Sequence, residues 1–168
     1  EPTHTQVWRE PVGVCALITA WNVPLLLFAL KVAPALATGN TVVIKPSELT
    51  PTSTLRLVEL LCELLPKGVL NVVNGRGEVI GDAMCRHPDI DKISFTGSTR
   101  VGKQVQQVAA QSLKRVSVEL GGKGPGIVLP DADLELVAYG ALYGVYLNGG
   151  QACESGTRLL VHDSIHDE

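Results

Sequence analysis

The sequence is poor in aromatic residues, with two Phe, two Trp and three Tyr in 168 positions. It also has no basic stripe, so there is no stacking and charge pattern for nucleic acid. A net charge of -3 adds no attraction to a phosphate backbone. No C-x-x-C pair occurs: Cys15, Cys62, Cys85 and Cys153 lie far apart, and His87 near Cys85 has no second ligand pair to join. No zinc or other metal site is therefore expected. A chain of this size builds a core without disulfides, so the thiols are expected to be reduced, in a cytoplasmic compartment. No internal repeat and no low-complexity tract is present. The opening EPTHTQ is polar and lacks a basic n-region, so it is not a signal peptide. It also lacks an initiator Met, which suggests processing or a piece of something longer. Residues 11–30 carry no charge, a run long enough to suggest a membrane helix. However, Pro11, Gly13, Asn22 and Pro24 interrupt it, and Lys31 and Pro34 follow at once. A buried strand followed by a buried helix is expected there, and no membrane contact.

What is present is an alternation of apolar strands and helices. Residues 12–19, VGVCALIT, are continuous and apolar, as in a fully buried strand. Pro24 suits a first helical position, and Gly39 ends the helix that follows. Further strands are expected at TVVIK, VLNVV, KISFT and RVSVEL, with helices after Pro51, near Met84 and from GSTRVG through KQVQQVAAQ. After GGKGPG comes a short strand, GIVL, and then a helix towards Leu147 capped by Asp131 or Asp133. RLLVHDSI closes the pattern as another strand. The fold class is α/β: a doubly wound, mostly parallel sheet covered on both faces. Ligands of such sheets bind beyond the carboxyl ends of the strands, here Trp21-Asn22, Lys45-Glu48, Thr96-Ser98 and Glu119.

Each of these places has an ordinary reading beside a functional one. NGRGEVIG, with Gly75, Gly77 and Gly81, is a near miss to G-x-G-x-x-G with one residue too many, and by itself suggests only a tight turn and close packing. FTGSTRVG is the stronger phosphate candidate: Gly97 allows a sharp turn, Ser98 can cap the next helix, and Gly102 permits close approach. Lys45 and Glu48 are either solvated surface charges or a polar pair for ribose hydroxyls. In the second case the carboxylate favours NAD over NADP. Asn22 is a turn residue or an oxyanion donor. Glu119 is costly to bury and, if buried, is paired or acts as a base. Cys153 is a packed hydrophobe or a nucleophile, and the small residues Gly149, Gly150 and Gly156 around it leave room for a substrate.

Five stretches in order, EPVGVCALITAWNVP, KVAPALATGNTVVIKPSELTP, ISFTGSTRVG, VELGGKGPGIV with DADL, and NGGQACESGTRLLV, resemble the aldehyde dehydrogenase family. Together they span residues 10–161. The local glycine richness places a domain boundary near Gly121-Gly122. With that boundary, the resemblance implies a Rossmann-like NAD-binding domain over residues 1–121, incomplete at its N-terminus, and the start of a catalytic domain over residues 122–168. It implies that Cys153 is the nucleophile, Glu119 the general base and Asn22 the oxyanion donor. It further implies a cofactor, NAD rather than NADP, held by Ile18, Thr19, Trp21, Lys45, Ser47, Glu48, Phe95, Thr96, Gly97, Ser98, Val101, Gly102 and Leu120. Two positions depart from the family pattern: Ala20 where many members carry Pro, and Gly124 where Ser or Asn is usual.

The implied reaction oxidises an aldehyde to a carboxylic acid. The Cys153 thiolate attacks the aldehyde carbon, and the Asn22 amide and the Cys153 N–H stabilise the oxyanion. Hydride passes to NAD, and Glu119 activates water to release the acid from the thioester. Glu119 argues against a CoA-acylating relative, which needs no such base. The partners expected are a small aldehyde and, for a full-length enzyme, further copies of itself. The chain resembles a central fragment of such an enzyme, with exposed apolar surface expected. A non-catalytic module that binds a dinucleotide or a partner is the alternative.

Overall fold

In the computed structural model, which describes residues 3–167, the chain divides into two compact units, Glu1–Glu119 and Leu120–Glu168. The first alternates strand and helix: β1 (Val14–Ile18), α1 (Pro24–Ala37), β2 (Thr41–Lys45), α2 (Thr52–Cys62) and β3 (Leu70–Val72). A single π turn (Gly77–Gly81) runs into α3 (Asp82–Arg86), then β4 (Lys92–Gly97), α4 (Thr99–Ala110) and β5 (Arg115–Leu120). The sheet order is β3-β2-β1-β4-β5. The pairs β1–β2, β1–β4 and β2–β3 are parallel. The chain thus winds outward from β1 in both directions, the expected α/β arrangement.

Burial explains why these segments are strands. Ala16, Val42, Ile44 and Ile93 are completely buried, so the central strands need apolar side chains on both faces. Cys15, Leu17, Val42 and Ile44 pack with Phe28 and Val32 of α1, Val58 of α2 and Leu70 of β3. At the edge of the sheet, β5 alternates exposed and half-buried residues instead. No helix among the described residues is long and apolar enough to cross a membrane.

Two polar side chains hold the amino end of β1. The Asn40 amide oxygen accepts from the backbone N–H of Val12 (2.6 Å) and Gly13 (3.0 Å), while its NH2 donates to the Ala35 carbonyl (3.0 Å). The Asp91 carboxylate accepts from the Val14 N–H at 2.8 Å. Gly13 sits between them at φ +122°, and a Cβ there would collide with that carboxylate. Gly68 also has positive φ, +84°, but open space around its Cβ position. Gly68→Ala is therefore expected to cost about 1 kcal/mol, the left-handed penalty alone. Gly13→Ala should cost about 2–4 kcal/mol, because strain and a lost strand cap add to it. Urea unfolding midpoints measure both; equal losses would contradict this account of the β1 entry.

The second unit pairs β6 (Pro125–Val128) in parallel with β7 (Arg158–Val161), and α5 (Leu134–Tyr146) lies between them in sequence. Asp133 caps α5: its carboxylate accepts from the N–H of Glu135 (3.1 Å) and Leu136 (3.2 Å). Where the sequence left Asp131 and Asp133 as alternatives, Asp133 is the cap. The final strand is shorter than RLLVHDSI suggests, ending at Val161 before a 3-10 turn over Asp163–Ile165. No residue of α5 is buried, although Leu136, Tyr139, Leu142, Tyr143 and Tyr146 are large and apolar. A helix apolar all round normally works covered on several sides.

Candidate active site

Register brings three of the motifs level. Ile18 pairs with Lys45 on β2 and with Phe95 on β4, so ITAWN, KPSE and FTGS leave the sheet at adjacent points. A cleft of about 520 Å³ opens beside these strand ends. Ile18 and Phe95 line it from the sheet, Gly77 and Gly81 from the π turn, and Val101 and Val105 from α4. Its volume falls within the roughly 300–1,000 Å³ of small-molecule sites.

Glu48 enters the cleft with its carboxylate fixed. Oε1 accepts from the Gly77 N–H at 3.1 Å, and Oε2 from the Lys45 ammonium at 3.2 Å. Its own and the Gly77 backbone N–H groups, with Lys45, hold this carboxyl below the usual Glu range. The ordinary expectation for this pair, two solvated charges, fails at Lys45: that side chain is 2% exposed. Its ammonium also donates to the Pro46 carbonyl at 2.9 Å, so the buried charge has two oxygen acceptors. Gly77 belongs to NGRGEVIG, which its sequence left as a tight turn. The turn is real, yet it also forms one wall of the cleft and anchors the acidic residue.

The other expected cofactor residues divide. Ile18, Glu48, Phe95 and Val101 line the cleft. Gly97 supports it from behind, since a Cβ there would meet the Phe95 ring at 2.5 Å. The Ser98 hydroxyl caps α4 by accepting from the Val101 N–H at 3.3 Å, and Gly102 is buried within that helix. Thr19 and Thr96 are buried with hydroxyls that have no hydrogen-bond partner among the described residues. They follow the paired residues Ile18 and Phe95, so on the alternating pleat they occupy the opposite face of the sheet from those two. The Trp21 carbonyl accepts from the Thr50 hydroxyl at 3.1 Å, tying the W-N turn to the loop after β2. The Ser47 hydroxyl accepts from the Leu49 N–H at 3.3 Å within that loop. Leu120 ends β5 half-buried.

Asn22 is half-buried in the turn between β1 and α1, and Glu119 is exposed near the end of β5. Exposure removes the desolvation cost the sequence raised for Glu119. Its charge is felt by Lys31 of α1, which the sequence marks only as the charge that ends an apolar run. Lys31 is 9% exposed and donates to the Ser94 hydroxyl at 2.7 Å. Burial pushes its pKa down to about 8, with Glu119 acting in the opposite direction.

In the second unit, Cys153 is exposed in the segment between a 3-10 turn (Leu147–Gly150) and β7. Its thiol donates to the Glu154 carboxylate at 3.2 Å. Asn148, Gly149 and Gly150 all take positive φ, which bends the chain sharply out of α5. The segment then lies along the glycines that follow β5. A Cβ on Gly122 would approach the Cys153 carbonyl at 3.8 Å, and one on Gly124 the Ser155 carbonyl at 3.5 Å. Both are ordinary contacts, so a Cβ at position 124 meets no clash. None of the four cysteines is in a disulfide: Cys15 and Cys85 are buried, Cys62 exposed. Burial pushes the Cys85 thiol up to about 11.

Comparison with known proteins agrees with these motifs. The family model described as the aldehyde dehydrogenase family matches residues 1–168. Phenylacetaldehyde dehydrogenase of Pseudomonas fluorescens is 55% identical over 161 residues, covering 95% of this chain and 32% of that protein. Betaine aldehyde dehydrogenase of Bacillus subtilis is 48% identical over 167 residues, covering 99% of this chain and 34% of that protein. The crystal structure of betaine aldehyde dehydrogenase from Staphylococcus aureus in complex with NAD+ superposes with a TM-score of 0.90 at 48% identity, over 94% of this chain and 32% of that one. The chain thus spans about a third of the length of these relatives. With its whole length matched by the family model, the chain belongs to the aldehyde dehydrogenase family.

Proposed function

We propose that the full polypeptide oxidises an aldehyde to a carboxylic acid with NAD+ as acceptor, and that this chain carries the cofactor cleft, the nucleophile, the base and the oxyanion donor. The observation that carries the cofactor reading is the Glu48 carboxylate, held by Lys45 and the Gly77 N–H at the edge of the cleft. A fixed, charged acceptor suits the paired hydroxyls of a ribose and repels a 2′-phosphate. The neighbouring apolar surface of Val101, Val105 and Ile18 suits a flat base. The residues present therefore fit NAD, and a related structure holds NAD+. When bound, the nicotinamide supplies the hydride acceptor.

The remaining steps belong to the chain's own groups. The Cys153 thiolate adds to the aldehyde carbon, giving a thiohemiacetal. The Asn22 side-chain amide and the Cys153 backbone N–H donate to the oxygen on which charge develops. After oxidation to the thioester, Glu119 takes a proton from water, which attacks the acyl carbon and releases the acid. The exposed state of Glu119 leaves it in contact with the solvent it must activate. Four thiols without a disulfide fit a reducing compartment such as the cytoplasm. The open apolar surface of α5 fits assembly with further protein, including copies of the same polypeptide.

The direct test is NADH formation by the full polypeptide over a panel of aldehydes, alongside NAD+ binding. Glu48→Ala should raise the KM for NAD+ about tenfold, as expected for a lost charge-assisted hydrogen bond, and narrow the preference over NADP+. An unchanged cofactor preference would remove Glu48 from the site. NAD+ binding with no NADH from any aldehyde would favour a non-catalytic dinucleotide module.

A further inference from the structure

Five charged side chains line the cleft: Glu48, Glu78, Asp82, Arg86 and Arg100. Four of them are matched inside the protein. Glu48 is held by Lys45, Glu78 pairs with Arg76, and the Asp82 carboxylate accepts from the Arg86 guanidinium at 2.8 Å. Arg100 alone has no ion-pair partner among the described residues. Its place makes that more pointed. Arg100 lies in the first turn of α4, where the aligned peptide dipoles disfavour a cation, and no acidic residue in that turn offsets it. It lies two residues after the Ser98 cap and precedes Val101, which lines the same cleft.

We propose that Arg100 pairs with the pyrophosphate of the bound dinucleotide and is a positioning residue for the cofactor. This rests on the cofactor reading of the cleft given above. A guanidinium offers two parallel N–H donors to phosphate oxygens, and the cleft supplies no other cation free to do so. Lys45 is buried and committed to Glu48 and the Pro46 carbonyl, and Arg86 is committed to Asp82. Of the anionic groups on a dinucleotide, a 2′-phosphate is opposed by Glu48, which leaves the pyrophosphate shared by NAD+ and NADP+ as the partner for Arg100.

The test is cofactor binding by the full polypeptide, by titration calorimetry, for wild type, Arg100→Ala, Arg100→Lys and Lys103→Ala. Lys103 is an exposed cation on the same helix outside the cleft. Arg100→Ala should weaken NAD+ and NADP+ by the same factor, about fivefold to tenfold, as for one charge-assisted contact, and the difference should shrink at high salt. Arg100→Lys should retain part of the affinity, and Lys103→Ala should bind as wild type does. Weakening of NADP+ alone would overturn the pyrophosphate assignment. So would equal weakening by Lys103→Ala, or NAD+ binding that Arg100→Ala leaves unchanged. If the wild type itself binds no NAD+, the cofactor reading of the cleft falls together with this one.

Discussion

Cys153→Ala is expected to abolish aldehyde oxidation, lowering NADH formation by at least about a thousandfold, because the step that makes the bond to substrate has lost its nucleophile. The side chain is exposed, so its removal opens no cavity and the protein should fold and bind NAD+ as before. Cys62 supplies the control. It is the other exposed thiol, on α2, and Cys62→Ala should keep full activity. Iodoacetamide should inactivate the wild type in step with alkylation of Cys153, while the buried Cys15 and Cys85 react last. Residual activity above a few per cent in Cys153→Ala would contradict covalent catalysis at this position.

Glu119→Gln should have the next largest effect, and a more particular one. General-base assistance contributes about a hundredfold to ten-thousandfold, so steady-state turnover should fall by that order. The first turnover should survive, because the base acts on water after hydride has left. Rapid mixing with NAD+ and aldehyde would then show a burst of NADH close to one per site, followed by a slow phase. Glutamine preserves the shape of the side chain, and the position is exposed on an edge strand, so folding is not at stake. Loss of the burst together with the steady rate would assign Glu119 to the addition step instead.

The fold was legible to the extent that it depends on local chemistry. TVVIK and RVSVEL gave β2 and β5 to the residue: Asn40 and Pro46 bound the first, and strict polar/apolar alternation stopped by Gly121 marks the second. Pro24 opened α1 as its fixed φ and missing N–H suggest. The choice between Asp131 and Asp133 was not local: it turned on which carboxylate lies over the first free N–H groups of α5. Lys45 shows the same limit. A lysine ending a strand reads first as a surface charge, and its burial follows from β2 lying inside the sheet. NGRGEVIG was underestimated because a wall of a cleft is built by what faces it, here Glu48 and α4, and spacing within one segment cannot show that. The five motifs named the family without any of this, because each motif keeps its order along the chain. Lys31 and Arg100 lie inside two of those motifs, but what surrounds each side chain became visible only through burial and pairing in the fold.

The most direct measurement is to trap the acyl enzyme. The Glu119→Gln full polypeptide would be mixed with NAD+ and an aldehyde, quenched in acid, digested and examined by mass spectrometry. The account predicts the acyl group of that aldehyde on the peptide containing Cys153, formed only when NAD+ is present. An acyl group on Cys62, or NADH formed with no adduct on any cysteine, would contradict it.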